Sequence, residues 1–97
     1  MIKYINSDEF EKILLEEKDV FLVDFYADWC GPCKMLSPIL EELENVTIYK
    51  INVDENSDLS VKYGIMSIPC LISFKDGLEY KRSIGLVDKE TILELLV

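Results

Sequence analysis

The sequence contains no histidine at all, and only three cysteines, four glycines, three prolines and one tryptophan in 97 residues. Three cysteines do not make a disulfide scaffold, and an odd number cannot be fully paired within one chain. Without histidine, a zinc site would have three soft ligands where four are normal. Long apolar runs are also missing. The longest, Val20–Val23 and Phe25–Ala27, are far too short to span a bilayer. The stretch Met1–Phe10 is polar and charged and lacks the apolar centre of a signal peptide. A reducing, cytoplasmic setting is therefore expected. Positive charge is scarce, with 10 Lys and Arg against 19 Asp and Glu. The resulting net charge of -9 repels phosphate backbones and argues against nucleic-acid binding. The acids are spread widely, as expected for a solvated surface rather than a dedicated docking face. No linker, repeat or low-complexity segment divides the chain.

The length fits one domain over residues 1–97, and roughly 65% of the unfolded surface should be buried on folding. Strand-like and helix-like stretches alternate along it. Ile2–Ile5 is a short β-rich opening. Asn6 or Ser7 can cap a helix carrying Asp8 and Glu9 in its first turn and burying Phe10, Ile13 and Leu14. Val20–Ala27 is almost continuously apolar, which suits a central strand covered on both faces. Leu36, Ile39, Leu40 and Leu43 are spaced as the buried stripe of an amphipathic helix, with Glu41, Glu42 and Glu44 on its wet side. Thr47–Val53 reads as the next strand. Asn56 or Ser57 then caps a short helix through Leu59 and Tyr63, stopped by Gly64. Cys70–Lys75 and Leu78–Ile84 flank Asp76-Gly77, a hairpin signal. Gly85 breaks the second of these strands, and Asp88 caps a last helix with Ile92, Leu93 and Leu96 facing inward. The order β-α-β-α-β-α-β-β-α gives a layered α/β domain, with parallel crossovers first and an antiparallel hairpin after them.

Cys30 and Cys33 stand where the buried strand turns into the amphipathic helix. At a helix start the backbone N–H groups lack partners and the dipole end is positive, so a thiolate is stabilised there. A lowered thiol pKa raises the nucleophilic fraction at neutral pH. Two intervening residues let the sulfurs bridge, and the pair can cycle between dithiol and disulfide. Pro32 suits the first helical turn, and Gly31 permits a close backbone approach. The same spacing occurs in half of a zinc site, so the spacing alone does not choose between redox and metal. Asp24, inside the apolar strand, should be desolvated and its pKa raised, leaving it available for proton transfer. A purely structural ion pair is the competing reading of that residue. Pro38, inside the helical pattern, predicts a kink near Lys34.

The run Trp29-Cys30-Gly31-Pro32-Cys33-Lys34 resembles the active-site signature of the thioredoxin family. Further landmarks follow in the family's order: Asp24, Pro38, the strand Lys50-Ile51-Asn52-Val53-Asp54, Tyr63-Gly64-Ile65, Ser67-Ile68-Pro69, Phe74-Lys75-Asp76-Gly77 and Gly85. Together they cover essentially the whole chain. The resemblance implies a thioredoxin fold, with a central mixed five-stranded sheet flanked by four helices. It implies a protein-disulfide reductase in which Cys30 is the nucleophile and Cys33 the resolving thiol, with Gly31 and Pro32 between them. Asp24 would deprotonate Cys33, and Lys50 would tune Asp24. Pro69 would be a cis-proline whose neighbouring backbone pairs with an extended partner segment, and Trp29, Ile68 and Pro69 would form the partner-binding patch. Trp29 is expected half-exposed beside the motif. No organic cofactor or metal is implied. The implied partners are disulfide-containing proteins and a separate thioredoxin reductase, with the chain itself a monomer. A glutaredoxin-like use of glutathione is disfavoured by Gly31-Pro32 between the cysteines.

Two departures from the pattern stand out. Cys70 occupies the position after Pro69 where the family usually has threonine. It is either a small buried hydrophobe or an accessory thiol able to be oxidised or to join Cys30 and Cys33 around a metal or cluster. Tyr26 replaces a tryptophan common two residues after the buried acid.

Overall fold

The computed structural model describes residues 1–97 and has the element order the sequence pattern predicts. The elements are β1 (Ile2–Tyr4), α1 (Ser7–Glu16), β2 (Phe21–Tyr26), α2 (Gly31–Glu41), β3 (Ile48–Asn52), α3 (Ser57–Lys62), β4 (Cys70–Lys75), β5 (Leu78–Ile84) and α4 (Lys89–Glu94). The five strands form one sheet in the order β1-β3-β2-β4-β5. β3 runs parallel to both β1 and β2, whereas β4 is antiparallel to β2 and β5 antiparallel to β4. β2 is thus the central strand. Its continuous apolar run is explained by burial of Phe21 to Phe25 on both faces.

Alternation along the strands sorts the core into two layers. Phe21, Val23, Phe25, Tyr49, Ile51, Cys70, Ile72 and Phe74 pack with Phe10 of α1 and Leu59 of α3 on one face. Leu22, Ile48 and Leu71 pack with Leu36 and Leu40 of α2 and Ile92 of α4 on the other. Asp24 and Lys50 share this second face, because each lies two residues along its strand from Leu22 or Ile48.

Local chemistry sets the helix starts. Asn6 caps α1 in a full capping box, accepting from the Glu9 amide at 2.9 Å while its own amide donates to Glu9 Oε1. Asp88 accepts from the Thr91 amide at the head of α4. Asn56 holds the N-cap position of α3 but makes no capping bond. Its Oδ1 instead accepts from the Ser7 backbone and hydroxyl, tying the starts of α1 and α3 together. The turn between β4 and β5 has both central residues at positive φ, Asp76 at 52° and Gly77 at 77°, as a two-residue hairpin requires. In α4 and the turn that ends it the inward residues are Ile92, Leu95 and Leu96, not Leu93, which is 40% exposed. The helix starts at Lys89 and is short, so i, i+3, i+4 spacing from Ile92 selects Leu95 and Leu96 and sends Leu93 to solvent. α2 runs through Pro38 as one helix.

Candidate active site

The turn from β2 into α2 brings the cysteine pair to the end of the sheet. Cys30 is the N-cap residue of α2, and its sulfur accepts from the Cys33 amide at 3.2 Å. That amide is one of the donors a helix start leaves unpaired, and it points at the sulfur that would carry the negative charge. Cys30 and Cys33 are joined as a disulfide, with Cα atoms 5.3 Å apart. Pro32 occupies the first turn, as its missing N–H permits. Gly31 and Pro32 are exposed, while each cysteine is 4% exposed. A Cβ on Gly31 would meet nothing within 4 Å, so the close approach expected there is not to any group of this chain.

The loop before β4 supplies the facing wall. The Ile68–Pro69 peptide is cis, and the Ile68 carbonyl oxygen lies 3.8 Å from Cys30 Sγ. Pro69 is buried and its carbonyl already accepts from the Gly85 amide. Trp29 is 71% exposed, more than the half-exposure expected, because its indole N–H is drawn outward to Asp54 Oδ2 at 2.8 Å. Met66, in the same loop as Ile68, is 94% exposed.

Behind the cysteines, the parallel register lines up Tyr4, Lys50 and Asp24 across β1, β3 and β2. Asp24 is fully buried and neither carboxyl oxygen has a hydrogen-bond partner. Lys50 Nζ is 3.6 Å from its Oδ2. Burial raises the Asp24 pKa from the ordinary 3.8 to about 6, against the opposing pull of the Lys50 charge. The Lys50 ammonium also lies over the rings of Tyr4 and Tyr26, 5.5 and 5.3 Å from their centroids. It donates to Ser37 Oγ at 2.8 Å, and Ser37 Oγ donates to the Cys33 carbonyl at 3.3 Å. An open cleft of about 150 Å³, lined by Tyr4, Tyr26, Cys33, Ser37 and Lys50 among others, leads to this cluster.

Ser37 was not singled out in the sequence, although a signal exists. Cys33, Leu36 and Leu40 mark the sheet-facing stripe of α2, and position 37 falls within it, so a hydroxyl there faces the same buried layer. Cys70 takes the opposite course from the accessory-thiol reading. It is 1% exposed, packs with Phe25 in the layer under α1 and α3, and burial pushes its thiol pKa up. It lies on the other sheet face from Asp24, and the small cluster around Cys30 and Cys33 is closed by Ala27, Tyr26, Val53 and Ile68 instead.

Comparison with known proteins agrees with this geometry. The profile of the thioredoxin family matches residues 1–97. A thioredoxin of Chlamydia pneumoniae is 51% identical, the alignment covering 99% of this chain and 96% of the relative. One from Staphylococcus epidermidis is 46% identical over 99% of this chain and 94% of its own length. Among solved structures, a mutant thioredoxin from Halobacterium salinarum superposes with a TM-score of 0.87 at 38% identity, covering 98% of this chain and 87% of that one. The chain belongs to the thioredoxin family, as a dithiol–disulfide oxidoreductase whose redox-active pair is Cys30 and Cys33.

Proposed function

We propose that residues 1–97 act as one monomeric domain that reduces disulfides of partner proteins, with Cys30 attacking, Cys33 resolving and Asp24 moving the proton. In the reduced protein the Cys30 thiolate attacks one sulfur of a partner disulfide, forming a Cys30–partner bond and expelling the other partner sulfur as thiolate. Cys33, deprotonated by the Asp24 carboxylate, then attacks Cys30 Sγ. The intramolecular disulfide forms and the second partner sulfur leaves, so two electrons pass from the dithiol to the partner. A separate thioredoxin reductase returns two electrons and two protons. Trp29, Ile68 and Pro69 form the docking patch, the Ile68 backbone pairing with the partner's extended segment. Lys50 tunes Asp24, while Gly31 and Pro32 shape the start of α2. No organic cofactor or resident metal enters these steps.

The observation that carries this reading is Cys30 at the N-cap of α2, with the Cys33 amide directed at its sulfur and the Ile68 carbonyl beside it. The proposed location is the cytoplasm; the reduced dithiol the reaction starts from favours it, and no helix is long and apolar enough to cross a membrane. Cys33→Ser, incubated with a disulfide-containing protein, should accumulate a covalent adduct on Cys30 that dithiothreitol releases. Cys30→Ser should accumulate none. Equal trapping by the two variants would overturn the assignment of roles.

A further inference from the structure

Lys50 makes its hydrogen bond to Ser37, not to Asp24. The ammonium donates to Ser37 Oγ at 2.8 Å but stops 3.6 Å from Asp24 Oδ2, beyond the usual N–H···O range. The Ser37 proton is engaged with the Cys33 carbonyl, so what the hydroxyl offers Lys50 is a lone pair. Tyr4 and Tyr26 attract the same ammonium from other directions. Three groups thus hold the cation by contacts that do not include the carboxylate. Asp24 is left with a charge nearby and no hydrogen bond to it.

We propose that Ser37 is a positioning residue for proton transfer: it holds Lys50 off Asp24 and couples the cation to the Cys33 backbone, leaving the carboxylate free to accept a proton. This deepens the proposed role of Asp24 and rests on it only for its catalytic meaning. The other titratable groups around the pair are Cys33 and Lys34 on α2, Tyr4 on β1, Tyr26 on β2 with Asp28 just after it, Glu9 on α1 and Glu55 after β3, which line a second cleft with Lys50, and Cys70 on β4, whose thiol lies on the other sheet face. Lys50 is the cation in ion-pair range of Asp24.

The test follows the Asp24 carboxyl by carbon-13 NMR across pH 4 to 9 in the reduced and oxidised protein. Ser37→Ala releases the ammonium to close from 3.6 Å towards a hydrogen-bonded separation. At an effective dielectric of about 20, a closing of roughly 0.8 Å lowers the Asp24 midpoint by about one pH unit. Ser37→Thr, which keeps the hydroxyl, should restore the original midpoint. In a Lys50→Met background, Ser37→Ala should produce no shift, since the serine acts through the lysine. An unmoved midpoint in Ser37→Ala overturns the proposal, and so does an equal shift with Lys50→Met present. If Asp24→Asn leaves resolution of the mixed disulfide unchanged while Ser37→Ala still moves the carboxyl midpoint, positioning by Ser37 stands and the proton-transfer role of Asp24 fails.

Discussion

Asp24 binds a proton more tightly in the folded protein than in the unfolded chain, because burial raises its pKa from 3.8 to about 6. The sign is opposite to that of a salt-bridged surface carboxylate. The favourable contribution of that proton is fully present below pH 4 and is lost as pH rises through 6, so the ionised group weakens the fold at pH 8 by about 3 kcal/mol. Asp24→Asn should therefore raise stability at pH 8 by about that amount, the advantage over wild type vanishing near pH 4. Urea unfolding at a series of pH values measures this; a stability difference independent of pH would contradict it. The same variant should slow resolution of the mixed disulfide, and unchanged turnover across pH 6 to 9 would exclude a part for Asp24 in the chemistry. Trp29, by contrast, is held by Asp54 at the surface, where the proposed docking role needs it, rather than in the core.

At the scale of elements, two devices outside the active site have consequences that can be measured. The Asn6 capping box closes the start of α1, and Asn6→Ala should cost about 1 kcal/mol, more than an exposed polar substitution elsewhere. Gly77 stands at φ +77°, and a Cβ there would come 2.9 Å from the Leu14 carbonyl oxygen of α1. Gly64, at φ +62°, has nothing within 4 Å of the corresponding point. Gly77→Ala should consequently lower the thermal midpoint more than Gly64→Ala, the second carrying only the left-handed backbone cost of about 1–2 kcal/mol. Equal losses would mean that the hairpin turn is free to move away from α1.

Most of these elements were legible in the sequence because their signals are local. The Asp76-Gly77 turn, the Asn6 and Asp88 caps and the apolar run of β2 each depend on neighbours within a few residues. What was not legible depended on who lies across the fold. Asn56 looks like a helix cap, yet its side chain is taken by Ser7, 49 residues away. Leu93 and Leu95 are equally apolar, and only the packing of Ile92 against the sheet layer shows which of them shares its face. Asp24 and the cysteine pair were readable as chemistry, whereas Ser37 was not. The helical stripe places the hydroxyl of Ser37 towards the sheet, but only β3, which brings Lys50 to it, gives that hydroxyl a role.

Considered whole, the molecule carries a net charge of -9, with a sequence isoelectric point near 4.3. Acidification from pH 8 towards 5 protonates Asp24, which favours the folded state. With no histidine in the chain, like-charge repulsion is relieved only at the lower end of that range, where carboxylates begin to protonate. Below the ordinary carboxyl range the balance reverses. Asp58 and Asp88, held below 3.8 by hydrogen bonds from Ser7 and Thr91, lose those contributions as they protonate. Stability should thus pass through a maximum near pH 5. A denaturation midpoint that climbs steadily from pH 4 to 8 would show that other carboxylates outweigh these groups.

The row Tyr4–Lys50–Asp24 starts on β1, an edge strand of three residues paired on one side only. Such a strand is the natural place for fraying, and each opening event removes one wall from around the Lys50 ammonium and admits water to it. Amide exchange at the edge of the sheet and the basicity of a carboxylate in its centre are then two readings of a single local equilibrium. A solute or partner that clamps β1 in place would alter the acid–base behaviour of the site without touching either cysteine.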